Sequence, residues 1–186
     1  MVTIYTYLKN LKFHIHDNIL KFCKNNTITQ SAIILLLVFV IALSAQMKIP
    51  LTFLPITLQT YSICLILIFV PINLAICSIF LYIILGTLGL PIFAGASSGI
   101  NIILGYSGGY IIGFLLATIF IFTVRKRKIL LLNNEYIFIY SLAIHAIIIT
   151  PGFIWLGILK GYNIGFYNGL LPLLIPALIK SLAVLV

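Results

Sequence analysis

Ile28-Thr29-Gln30-Ser31-Ala32-Ile33-Ile34-Leu35-Leu36-Leu37-Val38-Phe39-Val40-Ile41-Ala42-Leu43-Ser44-Ala45 carries no charge from end to end. A membrane-crossing helix needs about 20 consecutive apolar residues, so this run reads as a span. It stops at Gln46-Met47-Lys48-Ile49-Pro50, where polar residues and a proline return. The rest of the chain has the same character. Hydrophobic residues make up 63% of the 186 residues and charged residues 7%, with mean hydropathy +1.28, whereas a soluble domain carries about 25% charged residues. A surface so poor in charge is solvated by lipid. The length admits roughly six crossings with short connections. The expected fold class is therefore an all-α integral membrane protein, a bundle of six transmembrane helices with no soluble domain.

Upstream of the run, residues 1–27 mix Lys9, Lys12, Lys21 and Lys24 with His14, His16 and Asp17. No small-residue cleavage site stands out, so this stretch reads as a basic cytoplasmic segment against the anionic leaflet rather than a signal peptide. Residues 28–186 then form the membrane domain. Downstream, Pro50-Leu51-Thr52-Phe53-Leu54-Pro55 cannot be regular helix, because closely spaced prolines remove donors and bar the preceding residues from the α region. Further spans are expected over about 56–70, with Pro71 as a stop or a kink, and over about 74–90, 107–124, 136–149 (closed by Thr150-Pro151-Gly152) and 170–186. Trp155, Tyr162 and Tyr167 resemble an interfacial aromatic belt.

Glycine is absent before residue 86, yet Gly86, Gly89, Gly95, Gly99, Gly105, Gly108, Gly109 and Gly113 then follow within 28 residues. A glycine run with Leu90, Ile92, Phe93, Ile100 and Ile102 and almost no charge reads as an ordered, non-helical loop. Such backbone is tolerated at membrane depth only where it is buried in protein or lines a cavity. Gly109 and Gly113, four apart, suit close helix packing.

The net charge of +9 would suggest nucleic acid in a soluble protein. Here the basic residues cluster at helix ends, as the positive-inside rule expects, and no aromatic-interleaved basic surface exists to track a phosphate backbone. With the N-terminal lysines in the cytoplasm, six crossings bring Arg125-Lys126-Arg127-Lys128 to the same side. The proline loop, the glycine loop and the aromatic belt then share the outer mouth, where a lid over a ligand pocket would sit. Both termini are expected in the cytoplasm. Cys23, Cys64 and Cys77 are too few and too scattered for disulfides or zinc and read as small apolar filler. Lys180, inside the last apolar stretch, is expensive there by about 2.5–3.5 kcal/mol on insertion scales. It is expected to face the bundle interior and meet a partner. The chain has two acidic residues, Asp17 and Glu135, so a ligand carboxylate is the expected partner.

Four segments, in order, resemble the BioY family: Ala45-Gln46-Met47-Lys48-Ile49-Pro50-Leu51, Pro55-Ile56-Thr57-Leu58-Gln59-Thr60, Gly89-Leu90-Pro91-Ile92-Phe93-Ala94-Gly95, and Gly105-Tyr106-Ser107-Gly108-Gly109-Tyr110 with Gly113-Phe114. That family comprises the biotin-binding membrane S-components of energy-coupling-factor (ECF) transporters in the bacterial plasma (inner) membrane. The resemblance implies a six-helix S-component-like fold and biotin uptake, with no cofactor, catalytic residue or metal. Its partners would be biotin, membrane lipid, and either a coupling subunit with two ATPase subunits or further copies of itself. The biotin-binding residues it implies are Gln59, Phe93, Ser97, Ser98, Gly99, Tyr110 and Lys180. Pro50, Pro55 and Gly95 would belong to the gating loops. The sequence has no Gly-x-x-x-x-Gly-Lys-Ser/Thr phosphate loop, so energy, if used, would come from a partner. The chain departs from the family at Ala177, where an Asp usually stands three residues before the lysine. It departs again at Tyr106-Ser107, which replace Pro-Thr, and at Ile111, where some members carry an arginine. Loss of the Asp implies weaker biotin binding or a changed ligand.

Two other readings differ in kind. A solitary oligomeric biotin transporter would need the same pocket without ATPase partners. An intramembrane enzyme would need convergent acids, bases or metal ligands. Its candidates are thin: Glu135, the pair His14 and His16, and His145, which reads as a satisfied packing residue.

Overall fold

The computed structural model describes residues 27–51, 53–127 and 133–185. The N-terminal segment, with its lysines, His14, His16 and Cys23, lies outside the described residues, as does Lys128 of the basic run. Helix α1 (Thr27–Gln46) is the uncharged run that opens the reading above. The chain then forms a two-residue hairpin ladder, β1 (Lys48–Ile49) against β2 (Ile56–Thr57), antiparallel with Lys48 opposite Thr57. Helices α2 (Gln59–Phe69) and α3 (Ile72–Thr87) follow. A loop and the short α4 (Ile100–Leu104) lead to α5 (Gly108–Lys126) and α6 (Asn134–Lys160). The last rod is continuous from α7 (Tyr162–Ile164) through a π-helical turn (Gly165–Leu170) into α8 (Leu171–Ala183).

Among the described residues four helices are long and apolar enough to cross a membrane: α1, α5, α6 and the Tyr162–Ala183 rod. Helices α2 and α3, with 11 and 16 residues, reach only about 16 and 24 Å at 1.5 Å per residue, short of a hydrocarbon core about 30 Å thick. The six expected crossings are thus four long helices and two shorter ones. Prolines set this difference. Val70, just before Pro71, is extended (φ −86°, ψ 147°), so Pro71 is a stop and not a kink.

A helix that stops short must still satisfy its last carbonyls. Arg125 does this for α2: its Nη2 donates to the Leu67 carbonyl at 2.8 Å and the Ile68 carbonyl at 2.6 Å. The cation also sits where the helix dipole is negative. Arg125→Met leaves both carbonyls without this donor, and each buried unsatisfied group costs about 1–3 kcal/mol. A clear drop in the thermal midpoint in detergent is expected, with Arg125→Lys recovering part of it. An unchanged midpoint for Arg125→Met would remove Arg125 from this role.

The later elements correct several expected boundaries. Helix α6 runs through Pro151 to Lys160 instead of closing at Thr150-Pro151-Gly152. Ending there would have left unpaired backbone at membrane depth, whereas a proline forfeits one bond and is tolerated in such helices. Trp155, expected in a belt between spans, lies inside α6 and donates from Nε1 to the Gly105 carbonyl at 2.9 Å. The last rod starts at Tyr162 rather than near residue 170, and Tyr162 and Tyr167 are exposed along it. The glycine run, expected to be non-helical, contains α4.

Helices α5 and α6 pack closely where glycine was expected to allow it. A Cβ on Gly109 would meet the Pro151 carbonyl oxygen and the Trp155 Cβ, and one on Gly113 would lie 2.7 Å from the Ile148 Cα. The core between helices includes Ile41, Ile63, Leu67, Ile79, Tyr82, Ile121, Ile144 and Leu156, all fully buried. Leu36, Phe39, Ile119, Ile158, Ile175 and Ile179 face outward, as suits helices solvated by lipid.

Candidate ligand-binding cavity

A cavity of about 120 Å³ opens among β2, α2, the loop after α3, α5, α6 and α8. One water needs only about 10–15 Å³ by the same measure, so this space suits a small organic molecule. Its walls are mostly apolar: Leu54, Phe93, Ile111, Phe114, Ile148, Ile149 and Leu173. Polar groups interrupt them at Thr57, Gln59, Thr60, Ser97, Ser107, Tyr110, His145 and Lys180. An apolar box with a few convergent polar groups is the usual form of a small-molecule site.

Lys180 is half-buried on α8 and reaches the cavity. Its Nζ donates to the Thr57 carbonyl at 2.6 Å and to Thr60 Oγ1 at 2.9 Å. Both acceptors are neutral, and an ammonium has three donors. Of the two acidic residues in the sequence, Glu135 is exposed in the first turn of α6 and Asp17 lies outside the described residues. Lys180 thus faces the interior, as its position in the apolar stretch suggested, with no carboxylate among the described residues beside it. These bonds also locate the loop before α2. Lys180 lies roughly 25 Å along the rod from Tyr162 at 1.5 Å per residue, so the segment carrying Thr57 and Thr60 dips deep into the bundle. Tyr61 Oη, bonded to the Ala183 carbonyl at 3.2 Å, holds the same turn against α8.

The roof is a linked set of loops. Gln46, at the end of α1, donates to the Phe93 carbonyl at 3.1 Å and accepts from the Ala96 N–H at 2.7 Å. Phe93 and Ser97 pair across the loop, with the Phe93 N–H donating to the Ser97 carbonyl at 3.0 Å. The tight turn between them needs left-handed backbone at Gly95 (φ +74°) and Ala96 (φ +55°). Below, Gln59 Nε2 donates to Tyr82 Oη at 3.1 Å, and Tyr82 donates to the Ile92 carbonyl at 3.1 Å. Phe93 packs edge-on against Tyr82, with ring centroids 5.5 Å apart. One connected network therefore runs from α2 through α3 to the roof.

Of the residues singled out in the sequence, the fold brings Gln59, Phe93, Ser97, Tyr110, Lys180 and Pro55 to the cavity wall. Tyr110 is tied by its Oη to the Gly169 carbonyl at 2.8 Å, and its ring fills the notch left by Gly152. Ser98, Gly99, Pro50 and Gly95 do not line the cavity. Gly99 (φ +91°) starts α4, and its N–H donates to the Gly86 carbonyl at 2.7 Å. Pro50 is exposed between β1 and β2, and Gly95 lies against the Lys48 ammonium.

Sequence reasoning missed Thr57, Thr60 and Ser107, and it set His145 aside as a satisfied packing residue. The structure corrects the last point: His145 lines the cavity, and its Nε2 is buried without a hydrogen-bond partner. Its place one helical turn before Ile148 and Ile149 was the signal available. Among the described residues no three His, Cys, Asp or Glu side chains gather as a metal-ligand set.

A solved structure, the S-component for biotin from an ECF-type ABC transporter, superposes with a TM-score of 0.75. It covers 87% of this chain and 89% of its own at 23% identity, a likeness of fold. A probable biotin transporter BioY of Pyrococcus horikoshii is 35% identical over 150 residues, 81% of this chain and 88% of its own length. Its counterpart in Rickettsia prowazekii is 33% identical over 147 residues, 78% of this chain and 74% of that protein. The BioY family model matches residues 17–186, and the chain belongs to the BioY family.

Proposed function

We propose that this protein takes up biotin across the plasma membrane as the substrate-binding membrane component of an ECF-type transporter. The observation that carries the reading is Lys180, a cation held at the wall of an apolar cavity with neutral partners only. Biotin has a largely apolar body that carries a cyclic urea, and a carboxylate tail, and it suits both features. The related proteins are named as biotin transporters, which supports the same ligand. Gln59, Phe93, Ser97 and Tyr110 would hold the body of the ligand, and the loops around Pro50, Pro55 and Gly95 would open and close the mouth, with Ser98 and Gly99 shaping the turn.

In this reading α1, α2, α3, α5, α6 and the last rod all cross or enter the membrane as a six-helix bundle. The two short helices are completed by the loops that dip beside them. Arg125, Lys126 and Arg127 at the end of α5 mark the cytoplasmic side, which puts both termini there. The sequence carries no phosphate loop of its own, so in this reading energy, where used, comes from partners, a coupling subunit and two ATPase subunits.

Equilibrium binding of labelled biotin to the purified, detergent-solubilised protein tests this, with biotin methyl ester as competitor. Saturable binding, with the ester at least about tenfold weaker than biotin because a charge-assisted hydrogen bond is lost, is the expected result. Folded protein that binds no biotin would overturn the ligand.

A further inference from the structure

His145 is 2% exposed, and its Nε2 has no hydrogen-bond partner. Unpaired polar atoms this deeply buried are rare and call for an explanation. The other ring nitrogen settles the tautomer. Nδ1 lies 2.9 Å from the Ser141 carbonyl oxygen, one turn earlier in α6. A carbonyl only accepts, so Nδ1 carries the hydrogen. In the neutral ring Nε2 is then a bare lone pair, an acceptor with nothing to accept. The Nδ1 edge also meets Ser181 Oγ on α8 at 3.2 Å. The ring is therefore anchored on that side, and His145 is among the residues of the cavity wall. Ile148, Ile149, Pro176 and Ala177 bring apolar side chains to the same cavity, and Lys180 gives two of its three donors to Thr57 and Thr60.

We propose that His145 Nε2 accepts a hydrogen bond from an N–H group of the ligand and so selects, within the cavity, for a head that carries one. This rests on the proposed biotin reading and deepens it. The two charged or acceptor positions divide the ligand between them: Lys180 takes a carboxylate, and His145 takes an N–H of a cyclic urea or amide. Ala177, one turn before Ser181 on α8, ends in a methyl group with no acceptor, and His145 from the facing helix supplies one instead. The ring is held in one orientation by Ser141 and Ser181, so the acceptor is fixed before the ligand arrives and little ordering is needed on binding.

The test compares biotin with biotin methylated at one or the other ureido nitrogen, on the wild-type protein and on His145→Asn. Asparagine keeps an N–H near the position of Nδ1, able to reach the Ser141 carbonyl, and deletes Nε2. The wild type is expected to bind at least one methylated analogue about tenfold or more below biotin, as loss of a ligand hydrogen bond in a buried site implies. His145→Asn is expected to weaken biotin by a similar factor and to bind biotin and that analogue nearly alike. A purely structural histidine would weaken both ligands together and leave the discrimination intact, which would overturn the proposal. So would a wild type indifferent to methylation, a result that needs no variant to fold. A folded wild type that binds no biotin at all brings down the proposed function and this assignment with it, and that outcome is visible before any variant is made.

Discussion

Lys180→Met is expected to weaken biotin binding at least about tenfold, and by more than a hundredfold if the whole charge-assisted interaction is lost, since such bonds are worth about 1.5–3 kcal/mol. The reason lies in what stands beside the ammonium. Its partners are the Thr57 carbonyl and the Thr60 hydroxyl, and among the described residues the one acid, Glu135, is exposed in the first turn of α6. A cation desolvated in this way gains most from an anion that arrives with the ligand. Lys180 also tethers the loop before α2, so a loss of affinity alone would not separate the two roles. The methyl ester does. If Lys180 reads the carboxylate, Lys180→Met binds biotin and its ester about equally, because the discriminating charge has gone. Were Lys180 only a tether, the variant would lose affinity for both in proportion, the preference for the acid would survive, and the thermal midpoint would fall. Lys180→Arg keeps the charge and is expected to retain part of the preference.

The membrane class and the first helix were legible because they rest on composition and on an uninterrupted apolar run, where nothing competes with the signal. Lys180 was legible for the opposite reason: a charge in such a run is expensive enough to need a local cause. The glycines were readable in kind. Gly109 and Gly113 do admit a neighbouring helix, and Gly95 and Gly99 do take positive φ. Pro151 was misread because the rules for proline come from helices in water, where a broken helix can bond to solvent. In a bilayer the alternative to a proline-bearing helix is unpaired backbone, and the helix wins. The path of the loop before α2 was hidden too: nothing in its sequence shows it descending to Lys180, a fact that belongs to tertiary contact. His145 was hidden by its type. A lone histidine in an apolar helix satisfies itself in most cases, and only the positions of Ser141 and Ser181 show that this one satisfies a single nitrogen.

Gly113→Leu is expected to abolish the folded protein, and Gly113→Ala to leave it folded but damaged. A Cβ at residue 113 would stand 2.7 Å from both the Cα and the carbonyl oxygen of Ile148. Those are backbone atoms of α6, so no rotamer change can clear the overlap and the two helices must move apart. Overpacking of this kind costs about 1–3 kcal/mol for small additions and more for large ones. It outweighs the gain of up to about 1 kcal/mol that alanine brings to a helix interior. The displacement would act on the cavity directly. Residue 113 lies between the turns of α5 that carry Tyr110, Ile111 and Phe114, and it presses on the turn of α6 that carries Ile148 and Ile149, all in the cavity wall. Gly113→Ala should therefore lose biotin affinity as well as thermal stability, whereas Ile112→Leu, one residue away and outward-facing at 40% exposure, should change neither. Melting and binding measured on the same detergent-solubilised preparations decide it. Affinity preserved in Gly113→Ala despite a lower midpoint would mean that the α5–α6 contact holds the bundle together without setting the width of the cavity.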